Sequence, residues 1–327
     1  MKYIASTIVR ASDIGLNNNL FGGTLLRWLD EYGALFTYKY LNHKFVTYKM
    51  EKTYFLKSAK QGDCIDFYVT NLKFDKISVN FNLVAKINTY NPPKEIINTN
   101  MTFVAIDVEK EKPQRLNPML FDSEEFEEIM DQYVTKYMKN DEHIFHNKNH
   151  IDEMLNQLKM YKALIPLNDF KNIYFAICYH DAIHIPGRSD NEEKSIELFL
   201  KDWKKVLSNE EINIISSYIL STKTYAKYDE IKKIKYADLV HDLDMMSFID
   251  YETLKANDVK IRSEHENISL LEFYQYKIKY YEMLIEKGIF ISSQFKKYNT
   301  IAIENIKKYK DEINELLIKL IEAEKNI

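Results

Sequence analysis

From Gly23 to Leu41 apolar residues recur three and four apart, so that Leu25, Leu26, Trp28, Leu29, Tyr32 and Phe36 share one broad face. That spacing predicts an amphipathic helix. Four runs rich in β-branched and aromatic residues follow: KFVTYKMEKTYFL, DCIDFYVTNLKF, ISVNFNLVAKIN and INTNMTFVAID. The stretches KQGD, KFDK and NTYNPPK between them carry turn chemistry. One long helix and then an antiparallel meander predicts a sheet wrapped around a helix. From Val108 the pattern changes. VEKEKPQRLNPMLF mixes charges with two prolines and reads as a connection. Past Phe121 nearly everything has helical spacing, and Asp122 with Glu125 forms a candidate capping box. A β-rich half followed by an α-rich half predicts two domains: an α+β unit over 1–107, a connection over 108–121 and an all-α unit over 122–327. The near-heptad final helix and the tyrosine-rich KIKYYEML are expected to pack within their own domain.

Composition narrows the function classes. The chain of 327 residues is long enough for two cores, and seven glycines and six prolines leave little for flexible linkers. A net charge of −4 provides no general attraction to nucleic acid or to an anionic membrane. The two cysteines, Cys64 and Cys178, fall one in each half. That argues against a structural disulfide and for a reducing compartment. The opening MKYIASTIVRASDIG lacks a signal-peptide core. No apolar run approaches the ~20 residues of a membrane span. A cytoplasmic protein is expected. Glycine-rich phosphate loops of the common nucleotide-binding types are not found.

The first candidate site lies in NNNLFGGTLLRWLDEYG. On a helix Asp30 neighbours Leu26, Gly33, Ala34 and Thr37, and the last three are small enough to leave space for a substrate. A plain alternative pairs Asp30 with Arg27 on the surface. Gly22 and Gly23 precede the helix, where free N–H groups and the helix dipole favour developing negative charge. Such an end suits an oxyanion hole, with the carboxylate activating water.

The segments SDIGLNNNLFGGTLLRWLDEYGALF and VTYKMEKTYFLKSAKQGD resemble the acyl-CoA thioesterase branch of the hotdog-fold superfamily, over about residues 1–107. The resemblance implies that Asp30 acts as base or nucleophile on an acyl-CoA thioester. It implies that Gly22, Gly23 and Thr24 surround the thioester oxygen. It also implies that no cofactor is needed and that the site forms in a homodimer or larger assembly. Asp13, Asn19 and Phe21 are expected at the substrate. Where the family often has an Asn two residues after the loop Asp, this chain has Gly15, and Asn17 or Asn19 stands ready to replace it.

The second candidate site gathers the polar side chains of the helical half: His146, His150, His180, Asp181, Asp242 and Asp244. His146 and His150 are four apart and share a helix face, whereas Asp242 and Asp244, two apart, cannot point the same way. Imidazoles with carboxylates suit a divalent transition metal able to activate water against phosphorus. The order His…His-Asp…Asp resembles the HD-domain metal-dependent phosphohydrolases, and in particular a bacterial group of predicted HD-superfamily hydrolases. The segments FHNKNHIDEML, YHDAIH, DNEEKSIELF, DLVHDLDMMSF, IRSEH, MLIEKGIFISS and AIENI carry that likeness across about residues 122–320. It implies an all-α HD domain with His150, His180, Asp181 and Asp244 as ligands, and Asp242 as the alternative to Asp244. The ion would be Mn, Fe, Mg, Ni or Zn. His146 and Asn147 would lie near the phosphate, and Glu192 or Glu193 would orient water. The substrate would be a phosphorylated small molecule or nucleotide. This chain departs from the group at Thr224 and Tyr225, where a His is usual, and at Ile303 ahead of Asn305.

The two likenesses together imply a bifunctional hydrolase. The alternative is a hotdog module that binds acyl-CoA without turnover and regulates the phosphohydrolase.

Overall fold

The apolar face of the long helix needs a partner, and the strand runs supply one. In a computed structural model, which describes residues 1–15, 17–41, 43–138, 144–223 and 227–325, the chain begins with β1 (Lys2–Ile8) and α1 (Gly22–Tyr40). There follow β2 (Phe45–Met50), β3 (Tyr54–Phe55), β4 (Cys64–Phe74), β5 (Ser78–Ile87), β6 (Lys94–Asp107) and β7 (Lys112–Pro113). All pairings are antiparallel, in the order β1-β4-β5-β6-β2, with β3 and β7 also on β6. The helix buries Leu25, Trp28, Leu29, Gly33, Phe36 and Thr37. Phe36 meets Phe81 with ring centroids 5.0 Å apart, and Tyr32 meets Phe67 at 4.3 Å. Each large apolar side chain so buried contributes about 1.5–3 kcal/mol. The expected helix-plus-meander is present, with one strand beyond it: β1 alternates too weakly to stand out, since Ile4 alone is fully buried in it.

Gly33 lets helix and sheet approach closely. A Cβ there would stand 2.7 Å from Phe103 Cζ. The expected space beside Asp30 is therefore filled at Gly33 by a core ring, because the small residue serves helix–sheet contact.

The two compact units divide between Ile129 and Met130, within α2 (Ser123–Tyr137). The segment 108–121 belongs to the first unit. Its Gln114 and Leu116 amides bond to Ala105 and Lys76 carbonyls, and Leu116, Met119 and Phe121 are buried. Glu125 pairs with Lys2 Nζ at 2.6 Å.

The second unit is helical throughout its described residues. After α2 come α3 (Lys148–Met160), α4 (Leu167–Tyr179), α5 (Asn191–Trp203), α6 (Asn209–Ser221), α7 (Tyr228–Ile231) and α8 (Ala237–Asp244). Three more complete it: α9 (Tyr251–Glu264), α10 (Leu270–Lys287) and α11 (Asn299–Lys325). Ser208 with Glu211 caps α6, and Ser269 with Glu272 caps α10, each through a reciprocal capping box. Phe170 to Tyr179 are all buried, so α4 is central. Ala302, Ile306, Tyr309, Ile313 and Leu317 form the buried stripe of α11 against α10. Asn305 donates to the carbonyls of Phe248 and Ile249. Thr224 and Tyr225 lie outside the described residues. Both cysteines are free thiols, and no helix among the described residues is long and apolar enough to cross a membrane.

Candidate active sites

Asp30 lies on the exposed side of α1. Arg27, its expected surface partner, instead lies 3.8 Å from Glu31. Asp30 Oδ1 accepts a hydrogen bond from Thr47 Oγ1 on β2, at 2.6 Å. Thr47 belongs to the Val-Thr pair that opens VTYKMEKTYFLKSAKQGD, but the sequence assigns it no role, because its relation to Asp30 depends on how β2 lies against the helix.

The loop before α1 is held by its own backbone. Phe21 N donates to Asp13 O, Gly15 N to Asn19 O, and Arg10 N to the Asp13 carboxylate. Asp13 is thus a loop-holding residue; Asn17 is exposed and Asn19 half-buried. Among the described residues no side chain caps α1, and the first N–H groups of a helix have no partner within it. Gly22, Gly23 and Thr24 supply those groups. The Phe55 ring lies over Gly22, 3.4 Å from where a Cβ would be, and Phe21 flanks Gly23. Asp30 follows Gly22 by eight residues, which at 1.5 Å per residue is about 12 Å along the axis.

In the second unit α3, α4 and α8 bring four predicted groups together. His150 is on α3, His180 and Asp181 directly follow α4, and Asp244 ends α8. His180 Nε2 is 2.9 Å from Asp181 Oδ2 and 3.8 Å from Asp244 Oδ1; His150 Nε2 is 3.7 Å and 3.1 Å from the same two atoms. Yet among the described residues neither Nε2, both buried, finds a hydrogen-bond partner of acceptable geometry. Ligand atoms of His150, His180 and Asp181 all lie within 4.8 Å of one another. His180 Nδ1 donates to Ile177 O at 2.9 Å, which commits that nitrogen and leaves Nε2 as the one turned to the two carboxylates. Burial opposes charging of His180, but the Asp181 and Asp244 carboxylates outweigh it and lift the ring to about 9. Burial likewise opposes ionisation of Asp181, and the charges of His180 and His146 hold it well below the usual carboxylate range. Two imidazoles and two carboxylates fit a divalent transition metal, whose binding would displace the ring proton.

Asp242 is not among these donors. It is fully buried, and its carboxylate accepts from Ile291 N at 2.8 Å and Ser292 N at 2.7 Å. Asn147 caps α3, accepting from Asn149 N and donating to Ile144 O, so its amide holds the loop. Glu193 is exposed and pairs with Lys223 Nζ at 2.5 Å. Glu192 is half-buried; burial raises its carboxyl, and the Asp181 charge adds to the rise. His146 donates from Nδ1 to Glu264 Oε2 at 2.6 Å. Glu264 had no role assigned in the sequence, where nothing local links it to a loop more than a hundred residues earlier.

No family model matches the chain. Its N-terminal part is similar to an uncharacterised acyl-CoA thioester hydrolase of Buchnera aphidicola, 25% identical over 120 residues, which is 36% of this chain and 89% of that protein. An uncharacterised acyl-CoA thioester hydrolase of Bacillus subtilis is 30% identical over 109 residues, 32% of this chain and 63% of that one. Among solved structures, a hexameric thioesterase from Yersinia pestis aligns with 35% of this chain and 94% of its own, at 24% identity and a TM-score of 0.33.

Proposed function

We propose that the first unit hydrolyses acyl-CoA thioesters and that Asp30 is the carboxylate responsible. The observation that carries this reading is the Asp30–Thr47 hydrogen bond, which orients an exposed carboxylate that has no cationic partner at that contact. The likeness to proteins named acyl-CoA thioester hydrolases supports the substrate class. In this reading Asp30 takes a proton from water as the water oxygen attacks the thioester carbon. The first-turn amides from Gly22 to Thr24 receive the oxyanion. The C–S bond then breaks as the tetrahedral centre collapses, and the proton held by Asp30 passes to the departing sulfur, leaving a carboxylic acid, the free thiol of coenzyme A and the Asp30 carboxylate restored.

The ~12 Å between Asp30 and Gly22 in one helix calls for a second copy to complete the site. Phe21, Tyr48, Tyr54 and Phe55 are exposed near these residues and offer the apolar surface such an assembly would cover. A homodimer or larger homo-oligomer follows. The test is free-thiol release by the full chain from acyl-CoA of increasing chain length. Turnover is expected; binding without thiol release would contradict the reading and favour a sensing module.

For the second unit we infer an HD-type phosphohydrolase acting on a phosphorylated small molecule or nucleotide. The convergence of His150, His180, Asp181 and Asp244, with two unsatisfied buried Nε2 atoms, supports it. A divalent cation bound there would supply Lewis-acid activation of water and of the phosphoryl group. Glu192, beside Asp181, is the better-placed of the two glutamates to accept the water proton, since Glu193 is held by Lys223. Phosphate release from a panel of phosphomonoesters and nucleotides, lost in His180→Ala, tests this part.

A further inference from the structure

The turn joining α3 to α4 carries apolar side chains where solvent reaches them. Met160 ends α3 73% exposed, Leu164 is 78% exposed, and Leu167 opens α4 47% exposed. Between them the backbone is tight: Tyr161 N donates to Leu158 O and Leu164 N to Tyr161 O, each at 2.9 Å. Buried Ile165 and the Tyr161 ring, whose centroid is 5.6 Å from that of Phe295, fix the turn to the helices behind it. A single exposed apolar residue is ordinary, but three on one hydrogen-bonded turn form a patch.

Cations surround this patch. Lys159 and Lys162 flank it and are exposed, and Lys162 Nζ stands 5.4 Å from the Phe170 ring centroid. Lys296 and Lys297, also exposed, directly follow the Phe295 on which Tyr161 rests. From Lys159 to Phe170 the one carboxylate is Asp169, and Lys235 Nζ pairs with it at 2.8 Å. The whole chain carries −4, so the positive charge here is local. Apolar side chains ringed by ammonium groups match an anionic bilayer. The apolar groups enter the acyl boundary while the lysines stay at the phosphate headgroups.

We propose that the α3–α4 turn is a membrane-contact site that seats the second unit on bilayers containing anionic lipid. Met160, Leu164 and Leu167 insert, and Lys159, Lys162, Lys296 and Lys297 hold the headgroups. The turn lies at the opposite end of α3 and α4 from His150 and His180. At 1.5 Å per residue the separations are about 15 Å and about 20 Å along the two axes. Docking at the turn therefore leaves the His-Asp end of both helices open, and the contact stands whatever reaction that end performs.

The experiment floats the full chain with vesicles of phosphatidylcholine alone and of phosphatidylcholine mixed with phosphatidylglycerol, at low and at physiological salt. The protein is expected to rise with the mixed vesicles, much less with phosphatidylcholine, and less as salt increases. Leu164→Asp, checked for an unchanged thermal transition, is expected to lose binding at least ~10-fold. Lys162→Ala and Lys297→Ala are each expected to weaken it about 5-fold. Leu164→Trp is expected to shift its emission to shorter wavelength with the mixed vesicles only. Absence of flotation by the unaltered protein overturns the proposal. So does Leu164→Asp floating as well as the unaltered protein, since another surface would then be responsible. Self-association without lipid that is lost in Leu164→Asp, with no flotation, gives the patch to a second copy and overturns it too.

Discussion

Thr47 Oγ1 donates to Asp30 Oδ1 at 2.6 Å, tying β2 to a helix residue 17 positions earlier. A hydrogen bond to a charged group is worth about 1.5–3 kcal/mol. If it orients the carboxylate in the transition state, Thr47→Ala lowers kcat for thioester hydrolysis roughly 10- to 100-fold. KM stays near its original value, and Thr47→Ser recovers most of the rate. Steady-state kinetics on one acyl-CoA checks this; an unchanged kcat in Thr47→Ala would remove the hydroxyl from the account.

Gly33 sits where a Cβ would be 2.7 Å from Phe103 Cζ and 3.1 Å from its Cε2. Phe103 cannot easily yield, since it is buried and stacked on Phe81 with centroids 5.3 Å apart. Overpacking of this kind costs about 1–3 kcal/mol. Gly33→Ala is expected to lower the unfolding free energy of the first unit by that amount, read as a lower urea midpoint without a change in the slope.

Asp242 and Asp244 are expected to separate cleanly. Asp242→Ala leaves the Ile291 and Ser292 amides without their acceptor, at about 1–3 kcal/mol for each buried group. Asp244→Ala removes a metal donor and leaves those amides satisfied. Melting curves with and without Mn²⁺ distinguish the two. Asp242→Ala melts lower in both. Asp244→Ala keeps the metal-free melt but loses the metal-dependent gain, which is about 2.7 kcal/mol at a hundredfold excess over Kd.

Burial opposes ionisation of Glu264, but hydrogen bonds from His146 and the Phe145 and His146 amides hold its carboxyl at about 2, below the ordinary 4.5. A depressed carboxyl stabilises the fold fully above its unfolded value and loses that contribution as pH falls. The melting temperature of the metal-free protein is therefore expected to approach that of Glu264→Gln as pH drops from about 4.5 toward 2. A constant gap over that range would show that the carboxylate charge contributes nothing.

What was legible in the sequence follows local periodicity. The 3.6-residue spacing reveals α1 and places Asp30 on it, and alternation reveals β4 to β6. The pairing of late aspartates two apart shows that one of them faces away, but which one depends on how the segment at Ile291 packs on α8. Thr47 and Glu264 lie in the family-like segments VTYKMEKTYFLKSAKQGD and IRSEH, but their partners are not legible there, since each meets its partner through tertiary placement. His184 stands four residues after His180, yet its stack on His146 depends on the fold of a separate loop. The segment 108–121 resembles a connection because of its charges and prolines. Its apolar Leu116, Met119 and Phe121 nevertheless pack into the first unit.

The most direct test of the account compares thiol release from acyl-CoA by the full chain and by Asp30→Asn, with acyl-CoA binding measured alongside. Turnover in the unaltered protein, lost at least a hundredfold in Asp30→Asn while binding persists, is the predicted result. An Asp30→Asn protein that releases thiol at the original rate would contradict it.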